Sequence, residues 1–184
     1  MGLQKPASLI TNIALGCGAG YALHYTLTWY RGFRYVHLSY GIMIINAGFG
    51  VLCYLGSSFE KPFNFTYALR NQLYMGAFNT DLYLLDGYEP KFLCYAHLLP
   101  AIVPLFGNKE LTDVCMIAQL ISNYFFCVNS GYEYVFQTAA TATLYLLIYF
   151  KKLSFDDVLS LDSIDWESIV MIGFALLSAR AVAY

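Results

Sequence analysis

Apolar residues in this chain come in long blocks separated by short polar breaks, with no alternation of the kind a half-buried strand shows. The blocks cover residues 8–29, 35–55, 65–85, 92–106, 112–128, 134–150 and 166–184. A helix needs about 20 apolar residues to cross a bilayer, and most of these blocks approach that length. The pattern predicts an all-α, polytopic integral membrane bundle of seven transmembrane helices. Five or six spans result if residues 65–106 re-enter instead of crossing twice, because 92–106 is short and carries Pro100 and Pro104, each of which deletes an internal hydrogen bond. The freed carbonyls need partners that lipid does not supply, which places this bent segment inside the protein. Seven spans use nearly the whole chain, so residues 1–184 read as one membrane-embedded domain. The apolar run that starts near the N-terminus continues through Tyr30, which reads as an uncleaved first span rather than a leader.

Composition agrees with a lipid-facing surface. Apolar residues make up 59% and charged residues 12%, against ~25% charged in soluble domains. The formal charge of −2 excludes a basic nucleic-acid footprint. The expected partner is therefore the lipid bilayer, in a multi-pass arrangement whose membrane and orientation are not legible. Five basic residues (Lys5, Lys61, Lys109, Lys151, Lys152) fall on one side and four (Arg31, Arg34, Lys91, Arg180) on the other, too even a split to orient the chain.

Breaks in the apolar pattern carry the candidate chemistry, because polar groups are costly in lipid. Residues 65–85 hold Arg70, Gln72, Asn79 and Asp81. At ~100° per residue Arg70 and Asp81 fall ~20° apart around a helix, with Tyr74 near the same stripe, while Gln72 and Asn79 face the other way. A helix polar on two sides cannot face lipid, which places this one centrally. Along the axis Arg70 and Asp81 are about 16 Å apart, so they cannot pair and each needs its own partner. His24, Asn46 and tyrosines are candidates; His97, Asn123, Gln119 and Gln137 add further polar positions within spans.

Other motifs read as packing. Gly16-Cys-Gly18-Ala-Gly20 sits inside an apolar run, without the strand that a nucleotide loop requires. Gly16 and Gly20, with Gly48 and Gly50 in the second span, are read as helix-packing positions. The strings YALHY and CYAHL place His24 and His97 in similar surroundings, a thin hint of an internal duplication. They are also the pair that could face a haem, but lone histidines in separate spans read more simply as hydrogen-bonded core residues, and His37 as a wetted interfacial one. Five cysteines lack metal-ligand spacing, so no metal and no cofactor is expected. The linker 151–167 is the most polar stretch. Ser154 and Asp157 suggest a short helix, with Phe155, Val158, Leu159 and Leu161 on the membrane surface. Asp165 is a candidate cap for the last span, Trp166 a headgroup-level anchor, and Asp156, Asp157, Asp162 and Glu167 a solvated acidic surface.

These features point first to a small channel or transporter with helix 65–85 lining its pathway, carrying an ion or small solute. A second class is a non-catalytic subunit or scaffold of a membrane complex, homo-oligomeric or mixed. A third is a membrane enzyme acting on a lipid through Asp81, Arg70 and a histidine. The pattern favours a non-enzyme, and no catalytic residue is assigned.

Overall fold

A computed structural model describes residues 6–30, 32–151 and 161–183, and among these the fold is all-helical. The helices are α1 (Pro6–Trp29), α2 (Val36–Leu55), α3 (Glu60–Leu85), α4 (Lys91–Tyr95), α5 (Lys109–Ser130), α6 (Glu133–Lys151) and α7 (Ser163–Val182). Two 3-10 segments, Ser57–Phe59 and Ala96–Phe106, complete them.

Hydrogen bonds between the ends fix the directions. Ser8 and Thr11, at the start of α1, bond Asp165 at the start of α7, and Tyr30 just beyond α1 bonds the Val182 carbonyl at the end of α7, so these two helices run parallel. Gln72 and Tyr83 of α3 meet Thr112 and Ser122 of α5 in the same order, whereas Tyr149 at the end of α6 reaches back to Asp113 near the start of α5. Helices α1, α3, α5 and α7 therefore rise together; α2, the 91–106 segment and α6 return. The end holding residues 60 and 109 is called lower here, and the end holding residues 85 and 130 upper. Neighbours pack in the ring α1–α2–α3–α5–α6–α7, which closes back on α1, with the 3-10 segment in the outer groove between α3 and α5.

Local chemistry sets the boundaries. The Asn108 side chain accepts the Leu111 N–H at 3.0 Å and caps α5. That helix ends at Gly131, whose φ of 68° lets its N–H turn back to the Cys127 carbonyl. Asp162, rather than the expected Asp165, caps α7. Asp165 is the reciprocal partner three residues on, completing a capping box. Its carboxylate also accepts from Ser8 and Thr11, so one acidic turn starts α7 and ties it to α1.

Polarity is distributed unusually. From Arg70 to Tyr83 every residue of α3 is buried except half-buried Leu73, and this helix includes an arginine, two asparagines, a glutamine and an aspartate. Meanwhile Ile10, Trp29, Ile45, Leu99, Ile121 and Val128 are all at least half exposed. Two helices, α2 and α5, are long and apolar enough to cross a membrane. The proline-bearing segment is peripheral, contrary to its expected place inside: Leu99, Ile102, Leu105 and Phe106 point outward and only Val103 is buried.

That segment nevertheless satisfies its broken backbone through α3 and α5. In a 3-10 helix the N–H of residue 100 would bond the carbonyl of residue 97. Pro100 has no N–H, and the Gln119 side chain donates to the His97 carbonyl instead, at 2.8 Å. Thr80 of α3 likewise donates to the Cys94 carbonyl at 3.1 Å. The approach is close enough that a Cβ on Gly76 would overlap the His97 carbonyl oxygen.

The other glycines divide. A Cβ on Gly16 would make ordinary contact with Ala47, and one on Gly50 would overlap the Asn12 side chain. Gly20 and Gly48 meet nothing within 4 Å, so the expected Gly16/Gly20 crossing uses only its first glycine. Gly18, between them, is the one set against Ile172 of α7. The surface helix expected around Phe155, Val158 and Leu159, with Asp156 and Asp157, lies outside the described residues, while Leu161, expected on the same membrane surface, is buried.

Candidate functional site

Arg70 and Asp81 turn out to serve different neighbours. Asp81 Oδ2 accepts the backbone N–H of Val36 at 2.7 Å. Val36 is the first residue of α2, and Tyr35 before it offers no side-chain cap. Asp81 thus caps a neighbouring helix from the side, where a carboxylate meets both free N–H groups and the positive end of the helix dipole.

Arg70 is 1% exposed and sits at the middle of a polar cluster. Its Nη1 donates to Asn46 Oδ1 at 3.0 Å, its guanidinium carbon lies 4.7 Å from the centre of the Tyr67 ring, and Nη2 is 3.8 Å from Glu167 Oε2. Glu167 Oε2 also accepts from the Tyr67 hydroxyl and, at 3.3 Å, from Tyr145, whose hydroxyl lies 2.6 Å from Asn71 Oδ1. Asn46 is held in turn by donating to Thr66 and the Phe63 carbonyl. The ion pair is loose, and Arg70 Nε and Nη2 make no hydrogen bond among the described residues.

The opposite face of α3 meets α5. Asn79 donates to Gln119 and accepts from Asn123 at 2.8 Å; Gln119 Oε1 contacts His97 Nδ1 at 3.1 Å, and His97 Nε2 approaches Ser122 at 3.4 Å. Both polar stripes of α3 are therefore used, one against α2 and α7, the other against α5 and the 3-10 segment.

Several expected positions fall elsewhere. His24 is exposed on α1, outside this core. It stands in a regular α-helix while His97 stands in the 3-10 segment, so the two do not occupy equivalent places. His37 is buried rather than wetted, its Nδ1 accepting the Arg34 N–H. Gln137 bonds Glu133 of its own helix and bridges nothing. Glu167, read from sequence as part of a solvated acidic surface, is instead buried as the acid beside Arg70. The signal for it was present: a buried arginine demands an acid, and Glu167 is the one at the head of an otherwise apolar span.

Two cavities lie in the cleft between α3, α5, α6 and α7. The lower, about 330 Å³, has Glu167, Tyr67, Asp113 and Tyr149 on its walls. The upper, about 450 Å³, is walled by Leu82 and Asp86 of α3, Phe126 of α5, Glu133 of α6 and Ala181 of α7. At ~1.5 Å per residue, the stretch of α3 from Tyr67 to Leu82 measures about 22 Å. Between them is an aromatic layer: Tyr74, Phe78, Tyr145 and Phe174 are fully buried, with the Tyr74 ring tilted against Tyr145 at 5.2 Å and edge-on to Phe174 at 4.9 Å, and Phe78 edge-on to Phe174 at 5.7 Å. The Tyr74 hydroxyl makes no hydrogen bond among the described residues. Arg70 and Glu167 sit where this layer meets the lower cavity.

No group of three or more metal-ligating side chains exists among the described residues, and the five cysteines are free. No family model, no curated protein and no solved structure matches this chain.

Proposed function

We propose that this chain is a multi-pass membrane protein that moves a small solute across the bilayer through the cleft between α3, α5, α6 and α7. One observation carries the reading: two cavities at opposite ends of a single helix cleft, separated by a buried layer that includes a loosely held ion pair. A structural core has no need of two such cavities in line. An alternating-access carrier needs a closed layer between two vestibules, with the site at its edge. The inverted polarity supports the membrane assignment, since Ile, Leu and Phe side chains on the outside suit lipid while the polar side chains of α3 are buried within. The pathway residues are then Arg70 and Tyr74, with Glu167, Tyr67 and Tyr145, while Asp81, Asn79, Asn46, Asn123 and His97 hold the helices that frame it.

Thinning the aromatic layer tests this. In proteoliposomes Tyr74→Ala, alone or with Phe174→Ala, should open a leak to small dyes or ions, raising passive flux about tenfold over the parent protein. Vesicles that stay as tight as the parent, with the variant folded and inserted, would remove the reading.

A second reading, as a subunit of a larger membrane assembly, has one observation in its favour. Gly41 and Gly48, two helical turns apart on α2, both meet nothing within 4 Å and flank exposed Ile45. A second helix could approach closely there. Gly48→Leu should break such an assembly, read as a change of mass on size-exclusion chromatography with light scattering.

A further inference from the structure

The two cavities share a chemistry that neither their position nor their size requires. Each presents two carboxylates, Asp113 and Glu167 below and Asp86 and Glu133 above, and each is walled by four aromatic rings. Among the described lining residues the one cation is Lys109, on the lower rim. Every contact of Glu167 given above falls on Oε2, so its other oxygen accepts no hydrogen bond among the described residues although the side chain is only 3% exposed. Among the described residues Asp113 accepts one hydrogen bond, from Tyr149, and pairs with no cation. The wall has already selected a cation of its own: the Arg70 guanidinium lies over the Tyr67 ring and beside Glu167, approaching both from behind the cavity.

We propose that the transported solute is a small organic ammonium ion, bound in the lower cavity between Glu167, Asp113 and the faces of Tyr67 and Tyr149. This rests on the transport reading for its direction of travel but not for its site. Aromatic faces attract a desolvated cation, most strongly a weakly hydrated one such as a quaternary ammonium, and the carboxylates supply the charge. Arg70 then acts as a tethered competitor. An arriving ammonium takes over the attraction of Glu167 and Tyr67, which frees the guanidinium to withdraw toward Asn46 and loosens the layer above. With the site empty, Arg70 returns and the layer closes. The upper cavity, with two carboxylates and four rings of its own, receives the same ion on the other side.

Choline is a suitable probe, with its uncharged isostere 3,3-dimethyl-1-butanol as control. Binding to the purified full-length protein in phosphatidylglycerol nanodiscs is read by tyrosine fluorescence or calorimetry. Choline should bind saturably and the isostere at least tenfold more weakly. Asp113→Asn, on the half-buried rim, should weaken choline at least fivefold without unfolding the chain, and Lys109→Gln should strengthen it by removing a like charge. Equal binding of choline and isostere, no binding of either, or an unchanged affinity in Asp113→Asn would overturn the proposal. Phosphatidylcholine nanodiscs separate two sources of the ammonium: competition by the lipid identifies a headgroup as the natural occupant, and unchanged choline affinity identifies a free amine. Choline uptake into vesicles is measured separately. Binding without uptake keeps the site and removes transport, while flux of another solute without choline binding does the reverse.

Discussion

At the scale of single residues, two ionisable groups in one helix have separate tasks. Asp81 caps α2, and a cap needs an acceptor more than a charge. Asp81→Asn should therefore be close to neutral in thermal stability, because asparagine is as good a cap, whereas Asp81→Ala should cost about 1–2 kcal/mol by stranding the Val36 N–H. Equal losses in both variants would show that the charge itself matters. Arg70 differs. Removing Glu167 leaves a guanidinium buried without its acid, and breaking a buried pair costs about 3–5 kcal/mol. Glu167→Leu should be severely destabilised in detergent melts, and Arg70→Met added to it should recover much of the loss. A double variant no better than the single would show that Asn46 and Tyr67 suffice for Arg70.

Among elements, the 91–106 segment shows how a broken helix is accommodated. Pro100 frees the His97 carbonyl, Gln119 binds it, and the lack of a side chain at Gly76 lets the two backbones meet. Gly76→Val should push the segment off α3 at a cost of about 1–3 kcal/mol, visible as faster hydrogen exchange across residues 91–106. Exchange unchanged there would mean α3 moves instead. This element also marks the limit of what sequence conveys. The prolines announced irregular backbone, but the inference that it must lie centrally failed, because one side chain from a neighbouring helix, Gln119, satisfies the freed His97 carbonyl at the periphery. Helix α3 was legible because its polar residues repeat at a helical spacing, and periodicity within one element is a local property. Glu167, Tyr67 and Tyr145 were not legible as a group, since their convergence depends on which helices adjoin, and no periodicity encodes that. The Gly16/Gly20 pair misled for the same reason: the spacing defines a face of α1 but not whether a neighbour covers it.

For the whole molecule, the hydrogen bonds between helix ends make a topological claim. Under the proposed membrane arrangement, one crossing by α3 would put the 85–91 turn on the opposite side of the bilayer from the lower end of α3, and the return through 91–106 would bring the lower end of α5 back to the same side as that of α3. Single cysteines replacing Lys61, Lys109 and Lys91 in a cysteine-free background should label accordingly with an impermeant maleimide: the first two together, the third only from the opposite face. Labelling of all three from one side would reduce the number of crossings and end the seven-span arrangement. The packing ring explains why charge counts did not orient the chain. Lys61, Lys109 and Lys151 sit at the lower end and Arg34, Lys91 and Arg180 at the upper, so neither end is favoured.

The burial of α3 has a consequence for how the chain is made. Tyr67 finds its acid 100 residues further along the sequence, and Arg70 finds the same one, in the last helix described. During synthesis α3 emerges before α5 and α7, with its guanidinium and amides already exposed to whatever receives a nascent helix and their partners on those helices not yet translated. It must wait at a wet or chaperoned site, or enter lipid poorly, until α7 arrives and Glu167 completes the cluster. Closure of this cluster is thus timed by α7, and the order of translation of α3 and α7 runs opposite to the order in which the core can close.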